Sequence, residues 1–242
     1  MTESLYDRPD FFAAYARLPR SEKGLEAAPE WPALQALLPE MAGKRVLDLG
    51  CGYGSFARWA MGQGAESVLA LDVSTRMLER AAALTEGEGI EYRQGDLEAL
   101  DIPIAAFDLV FSSLAFHYVV ELPDMLRRVH AAMAPKGVLV FSQEHPLLTA
   151  PSNPGWITPA EGQRVWALDD YLEDGPRVTD WLAPGVVKQH RGLGTLVNAL
   201  IGAGFTLTKL EEWSPSPAQL EAEPDWAEER DRPSFLLVKA AN

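Results

Sequence analysis

Cysteine is almost missing from this chain: its 242 residues hold one, Cys51. A single thiol cannot close an intramolecular disulfide, so a reducing compartment is the expected setting. One cysteine and four scattered histidines also make no Cys-x-x-Cys or His-Glu-x-x-His cluster, so no metal site is expected. Long apolar runs are missing too. No stretch approaches the roughly 18 residues of a membrane-crossing helix, and the start lacks the basic-then-apolar pattern of a secretory leader. The expected location is cytoplasmic, with no membrane partner. Positive charge is scarce, since 21 Lys and Arg against 35 Asp and Glu leave a net charge of −14. That balance argues against a broad nucleic-acid footprint and makes a neutral or cationic small molecule the easier guest. Internal repeats and low-complexity tracts are absent as well.

What is present suits a globular protein. Hydrophobic residues make up 47 % of the chain, enough for one large domain or one domain with an insertion. The organising stretch is Arg45-Val-Leu-Asp-Leu-Gly-Cys-Gly-Tyr-Gly54. It reads as a buried strand, a glycine turn, and a helix from about Ser55. Such a turn lets a nucleotide-like ligand lie against bare backbone at a helix N-terminus, and glycine supplies the positive φ values it needs. A dinucleotide loop would want Gly or Ala at position 55, where serine stands; Asp48 instead gives Asp-x-Gly-x-Gly-x-Gly. Further apolar strands follow: Val68 to Asp72, its acid 22 residues after Gly50; Ile90 to Asp96; Phe107 to Ser113; Gly137 to Ser142. Between them run a helix placing Phe56, Trp59 and Ala60 on the sheet, a helix capped by Ser74 with the stripe Met77, Leu78, Ala81 and Leu84, and a helix from Glu121 to Met133, ended by Pro135-Lys-Gly137. This alternation means an α/β fold, with a mostly parallel sheet covered by helices on both faces.

The glycine motif with acids at 72 and 96 resembles motif I and its companions in the class I S-adenosylmethionine-dependent methyltransferases. Ser112-Ser-Leu-Ala-Phe-His-Tyr118, Glu144-His-Pro146, Lys188-Gln-His-Arg191 and Arg232-Pro-Ser-Phe-Leu236 are similar to a small-molecule group of the methyltransferase-11 type. The resemblance implies a Rossmann-like seven-stranded sheet of order 3-2-1-4-5-7-6 with the last strand antiparallel; Phe205 to Trp213 would be strand six and Phe235 to Val238 strand seven. It implies S-adenosylmethionine (SAM) as cofactor and S-adenosylhomocysteine as product. Asp72 would accept from the ribose hydroxyls, with Val73 and Met77 beside it. Asp96 would lie near the adenine amine, with Gly95 and Leu97. Asp48, Gly50, Cys51 and Gly52 would face the amino-acid end, and Ser112, Ser113 and His117 the methionine portion. Asp72→Asn, keeping one acceptor, is expected to weaken cofactor binding less than Asp72→Ala.

Residues 1–43 are expected to form a helical cap with the stripes Phe11, Phe12, Tyr15, Leu18 and Trp31, Leu34, Leu37, Leu38. Tyr15 and Arg20 either reach the methionine end of the cofactor or pack within the cap. Residues 145–190 hold six prolines and no helical period. They read as a substrate lid, with Trp156, Trp166, Tyr171 and Trp181 as pocket walls, while Pro215 to Arg230 reads as polar and mostly exposed. Ligands bind beyond strand C-terminal ends in such sheets, which makes His117, His145 and His190 the candidate bases and leaves His130 on a helix surface. An imidazole base would give a pH limb between about pH 6 and 7.5; His117 also reads as a plain pocket wall. No Asn/Asp-Pro-Pro-Tyr/Phe follows strand four, which argues against adenine or glutamine methylation. The expected activity is methyl transfer from SAM to an O or N atom of a small molecule. Carboxyl O-methylation, a tRNA or protein acceptor, and a non-catalytic SAM-binding sensor are the alternatives. The sequence is silent on oligomeric state.

Overall fold

The computed structural model describes residues 5–160 and 162–242; the first four residues of the expected cap and residue 161 of the insertion lie outside that description. Helices α1 (Pro9–Tyr15), α2 (Pro19–Lys23) and α3 (Trp31–Leu37) come first. Each carries proline in its first turn, where a missing N–H breaks no helical hydrogen bond. Then follow β1 (Arg45–Leu49), α4 (Ser55–Gly62), β2 (Ser67–Asp72), α5 (Thr75–Ala83), β3 (Ile90–Gln94), β4 (Phe107–Ser113), α6 (Leu122–Ala132) and β5 (Met133–Glu144). The insertion holds α7 (Pro146–Thr149), β6 (Trp156–Ile157), β7 (Val165–Trp166), β8 (Gly175–Thr179) and β9 (Val186–His190). The chain ends with α8 (Leu193–Gly202), β10 (Thr206–Glu212), α9 (Pro217–Ala222) and β11 (Phe235–Ala241).

Seven strands form one sheet in the order β3-β2-β1-β4-β5-β11-β10. The β11 strand runs antiparallel to both neighbours, and the other neighbouring pairs are parallel. This is the expected order, with β10 and β11 as strands six and seven. Side chains alternate between the two faces. Val46, Val68, Leu109, Phe111 and Val140 pack against α3 and α4 through Trp31, Leu34, Phe56 and Ala60. On the opposite face, Leu47, Leu49, Val110, Leu139 and Phe141 pack against α6 and α8 through Leu122, Met125, Leu126, Val129, Leu196 and Leu200. Strand β1 is therefore covered on both faces, which is why it reads as an unbroken apolar run. The strand order reverses between β1 and β4, and the crevice beyond their C-terminal ends is where such a sheet receives a ligand.

Two local expectations need correction. Ser74 does cap α5, its Oγ accepting from Met77 N at 3.1 Å, but the helix stops at Ala83 and leaves Leu84 exposed. Strand β5 begins at Met133, not Gly137. It pairs with Phe107, shifts register through Lys136 at φ 66°, and re-pairs at Val138. Pro215 to Arg230 is mostly exposed, as expected, with Trp226 packed on Trp213 at a ring-centroid distance of 6.2 Å.

The insertion is built from two hairpins, with Trp156 opposite Trp166 and Gly175 opposite His190. Its second hairpin meets the N-terminal segment. Phe11, Ala183 and Val186 form a small apolar cluster with Tyr6, Tyr15, Tyr118 and Trp181, and Phe11 touches Trp181 edge-on at 5.7 Å. Among the described residues, no helix is long and apolar enough to cross a membrane.

The ring of Phe111 is 1 % exposed and stacks on Phe56 with centroids 3.5 Å apart. Emptying that site leaves a cavity at the centre of the sheet, so Phe111→Ala is expected to destabilise the protein by about 3–5 kcal/mol. Urea unfolding with an unchanged m-value measures it, and a loss below about 1 kcal/mol would show that the helix layer collapses to refill the space.

Candidate active site

The glycine turn is tied down by backbone. Gly50 N and Cys51 N both donate to Leu71 O, at 2.8 and 2.9 Å, fastening the end of β1 to β2. Gly50 sits at φ +74°, and a Cβ there would lie 2.6 Å from the Ala115 Cβ, so no larger residue fits without moving the loop after β4. Asp72, at the end of β2, then fixes the rest. Its Oδ2 accepts from Gly52 N and its Oδ1 from Ser74 N, both at 2.9 Å. Burial raises the Asp72 pKa, and these two N–H groups work against that rise. Each carboxylate oxygen keeps a further lone pair for a ligand hydroxyl.

Beyond this edge opens a cavity of about 580 Å³, within the usual range of small-molecule sites, about 300–1,000 Å³. Gly50, Gly52, Asp72, Val73 and Met77 line it from the first two crossovers, and Gly95, Asp96 and Leu97 from the end of β3. Ser113 and His117 line it after β4, and Tyr15 and Arg20 close it from the N-terminal segment. These expected residues are thus brought together. Asp48 and Cys51 face a smaller adjoining recess of about 90 Å³, which Tyr15, Arg20, Gly50, Gly52 and Ser113 also border. Ser112 borders neither, because its buried Oγ donates to Leu49 O at 2.7 Å. Its expected place beside a ligand is corrected to a clasp between β4 and β1.

The recess has one unusual group. Asp48 is 1 % exposed and its Oδ2 has no hydrogen-bond partner. Burial, followed by the nearby Asp72 charge, pushes its pKa up to about 8. The Cys51 thiol is likewise held well above its ordinary value by burial, which fits an inert filler and not a nucleophile. Arg20 is clamped by Glu30, its Nη2 lying 2.8 and 3.0 Å from the two carboxylate oxygens.

The three histidines separate. His145 does not face the cavity: its Nδ1 accepts from Leu147 N at 3.0 Å and its Nε2 donates to Glu212 Oε1 at 2.9 Å. His190 is also withdrawn, its Nδ1 paired with Thr149 Oγ1 at 2.8 Å and its Nε2 donating to Tyr171 O at 3.0 Å. With both ring nitrogens engaged inside the fold, neither is positioned to take a proton from a guest in this cavity. His117 does face it, but burial lowers its pKa to about 4. The expected limb between pH 6 and 7.5 therefore does not belong to His117. Its Nδ1 accepts from Glu144 N at 3.4 Å, so in the neutral ring the hydrogen sits on Nε2. Presented to the cavity, His117 is a hydrogen-bond donor.

Sequence reasoning passed over several lining residues: Tyr6, Tyr118, Glu144, Trp226 and Phe235. Glu144 stood beside His145 in the same short motif. Of the four insertion aromatics expected as walls, Trp181 reaches the cavity and Trp156, Trp166 and Tyr171 do not. Trp156 and Trp166 pack on each other at 5.6 Å, and Tyr171 lies against His190.

Asp48 gives a pH signature of folding. Its folded pKa, about 8, stands above the ordinary value of about 4. Between those limits the folded chain holds a proton that the unfolded chain has released. Stability is therefore expected to fall as pH rises from about 4 to about 8, and Asp48→Asn to flatten that fall. Urea midpoints across the range check it; a variant profile parallel to wild type would assign the slope elsewhere.

Comparison with known proteins agrees with this architecture. Residues 47–141 match the family described as Methyltransferase domain. A crystal structure of an S-adenosylmethionine-dependent methyltransferase from Mesorhizobium loti is 53 % identical, covers 90 % of this chain and 100 % of that one, and superposes with a TM-score of 0.87. An uncharacterised protein of Haemophilus influenzae is 33 % identical over 98 % of this chain and 96 % of its own length. A malonyl-[acyl-carrier protein] O-methyltransferase of Enterobacter lignolyticus is 41 % identical over 110 residues, 46 % of this chain and 43 % of that protein. The likeness to the Mesorhizobium loti enzyme extends over nearly the whole of both chains and the same sheet: the chain belongs to the class I S-adenosylmethionine-dependent methyltransferases.

Proposed function

We propose that the chain moves the methyl group of SAM to an O or N atom of a small-molecule acceptor held at the aromatic end of the cavity. One observation carries this reading. A single cavity runs from Asp72 and Asp96, past Gly50 and Gly52, to His117, Glu144, Trp181 and Phe235. The residues present fit the cofactor. Asp72 offers lone pairs for the ribose hydroxyls, with Val73 and Met77 alongside, and Asp96, Gly95 and Leu97 border the adenine end. The orphaned Asp48 Oδ2 suits an ammonium, and Arg20 suits a carboxylate. When bound, SAM supplies a methyl already activated by its positive sulfur. The protein's part is then to align the acceptor, keep water out and leave the attacking atom its lone pair.

Residues 145–190 act, in this reading, as a lid that closes with the N-terminal cap. The edge contact of Trp181 with Phe11 and the cavity-lining position of Trp181 support it. A second reading, transfer to a carboxylate oxygen, needs no base because such an acceptor is already anionic. It is favoured by the likeness to the malonyl methyltransferase, over less than half of either chain.

Calorimetry with SAM and S-adenosylhomocysteine, followed by a labelled-methyl acceptor screen, tests the proposal; failure to bind either cofactor form would end it. Hydrogen bonds to a charged group contribute about 1.5–3 kcal/mol each, so Asp72→Ala is expected to weaken cofactor binding roughly ten- to hundred-fold. Asp72→Asn should do about as badly, against the expectation from sequence, because its amide NH₂ would meet the N–H of Gly52 or Ser74. Retention of most of the affinity in the asparagine variant would show that those backbone contacts are dispensable. For the lid, limited proteolysis should cut within residues 145–190 first and slow when S-adenosylhomocysteine and an acceptor are added; equal cutting in both states would make the insertion purely structural.

A further inference from the structure

We infer that Glu144 selects an acceptor whose reacting group carries a hydrogen, an alcohol, phenol or amine on an apolar body, and turns away carboxylates. This rests on the methyl-transfer reading above and names its substrate class. Glu144 ends β5, at the same edge of the sheet as the glycine turn, and its side chain borders the cavity. Lys188 of β9 grips its Oε1 while lying 4.9 Å from the centre of the Trp181 ring. Lys188 is 5 % exposed and is not among the residues that border the cavity. Its ammonium holds the carboxylate in place without reaching the guest.

The neighbouring groups point the same way. Glu144 N donates to His117 Nδ1, which leaves His117 Nε2–H as a donor beside a carboxylate acceptor. A hydroxyl satisfies both, giving its hydrogen to Glu144 and accepting from His117, while an ammonium satisfies Glu144 directly. A carboxylate guest would face the Glu144 carboxylate, whose charge Lys188 offsets only in part, and would find His117 Nε2–H as a donor but have no hydrogen to give Glu144. Among the described lining residues the cation is Arg20, already clamped by Glu30, against the acids Asp72, Asp96, Glu98 and Glu144. Arg20 is also the group suited to the cofactor's own carboxylate. Trp181, Tyr118 and Phe235 supply the wall for the apolar body.

The test uses the full chain saturated with S-adenosylhomocysteine and three probes of one body: 2-phenylethanol, phenethylamine and phenylacetate, titrated by ligand-detected NMR. The alcohol and the amine are expected to bind at least about ten-fold tighter than phenylacetate, a difference of about 1.4 kcal/mol. In Glu144→Gln the amine should lose about that factor, and phenylacetate should gain as Lys188 is released. Because that release leaves a buried cation, Glu144→Gln with Lys188→Met serves as the companion variant, in which the amine still loses affinity and phenylacetate still gains, by less than in Glu144→Gln, since no freed ammonium adds to the gain. Phenylacetate binding as well as the other two, no binding by any of the three, or an amine affinity untouched by both variants overturns the inference. Affinity for S-adenosylhomocysteine, read by calorimetry in the same samples, separates these outcomes from failure of the methyltransferase reading, which would show as loss of that affinity in wild type.

Discussion

One carboxylate holds the site together. Asp72 accepts from Gly52 N in the turn after β1 and from Ser74 N at the start of α5. The connections leaving β1 and β2 are thereby fixed to one side chain. Burying an acid there is unfavourable by itself, and the two N–H bonds offset that cost. The same acid offers its remaining lone pairs to the cavity, so what it presents to a guest and what it does for the turn cannot be altered separately.

The floor of the site was legible because its requirements are local. Positive φ demands glycine at Gly50, Gly52 and Gly54, a strand covered on both faces demands a continuous apolar run, and Asp72 and Asp96 stand at or just beyond the ends of the next two strands. The histidines were not legible, because what decides them is remote in sequence. Glu212 lies 67 residues from His145, and Thr149 lies 41 residues from His190. For His117 the ring's tautomer is set by a backbone N–H 27 residues away. One signal was present and unread. Neighbouring residues at the end of a strand point to opposite sides, so Glu144 and His145 were never both going to face the guest.

The upper half of the site follows different rules. Its roof comes from the N-terminal segment and the second hairpin of the insertion, joined by Tyr6, Phe11, Tyr15, Tyr118 and Trp181 in mostly edge-to-face contacts. Neither piece belongs to the seven-stranded sheet. Changes in the roof can therefore reshape the aromatic end of the cavity while Asp72 and the glycine turn stay as they are, which is the physical reason that membership of the family leaves the acceptor open.

The position of β11 carries a consequence for how the chain folds. It lies between β5 and β10 in the sheet yet follows both in the sequence. Until it arrives, β5 presents a bare edge, with the apolar residues Leu139, Val140 and Phe141 along it, and β10 has no partner. Pairings of such long sequence separation form slowly, and an unpaired apolar edge is a template for wrong association. Phe235, the first residue of that strand, is also a wall of the cavity. That wall is thus completed by the same late event that closes the sheet, so a chain caught before it has the glycine turn and Asp72 without a finished chamber.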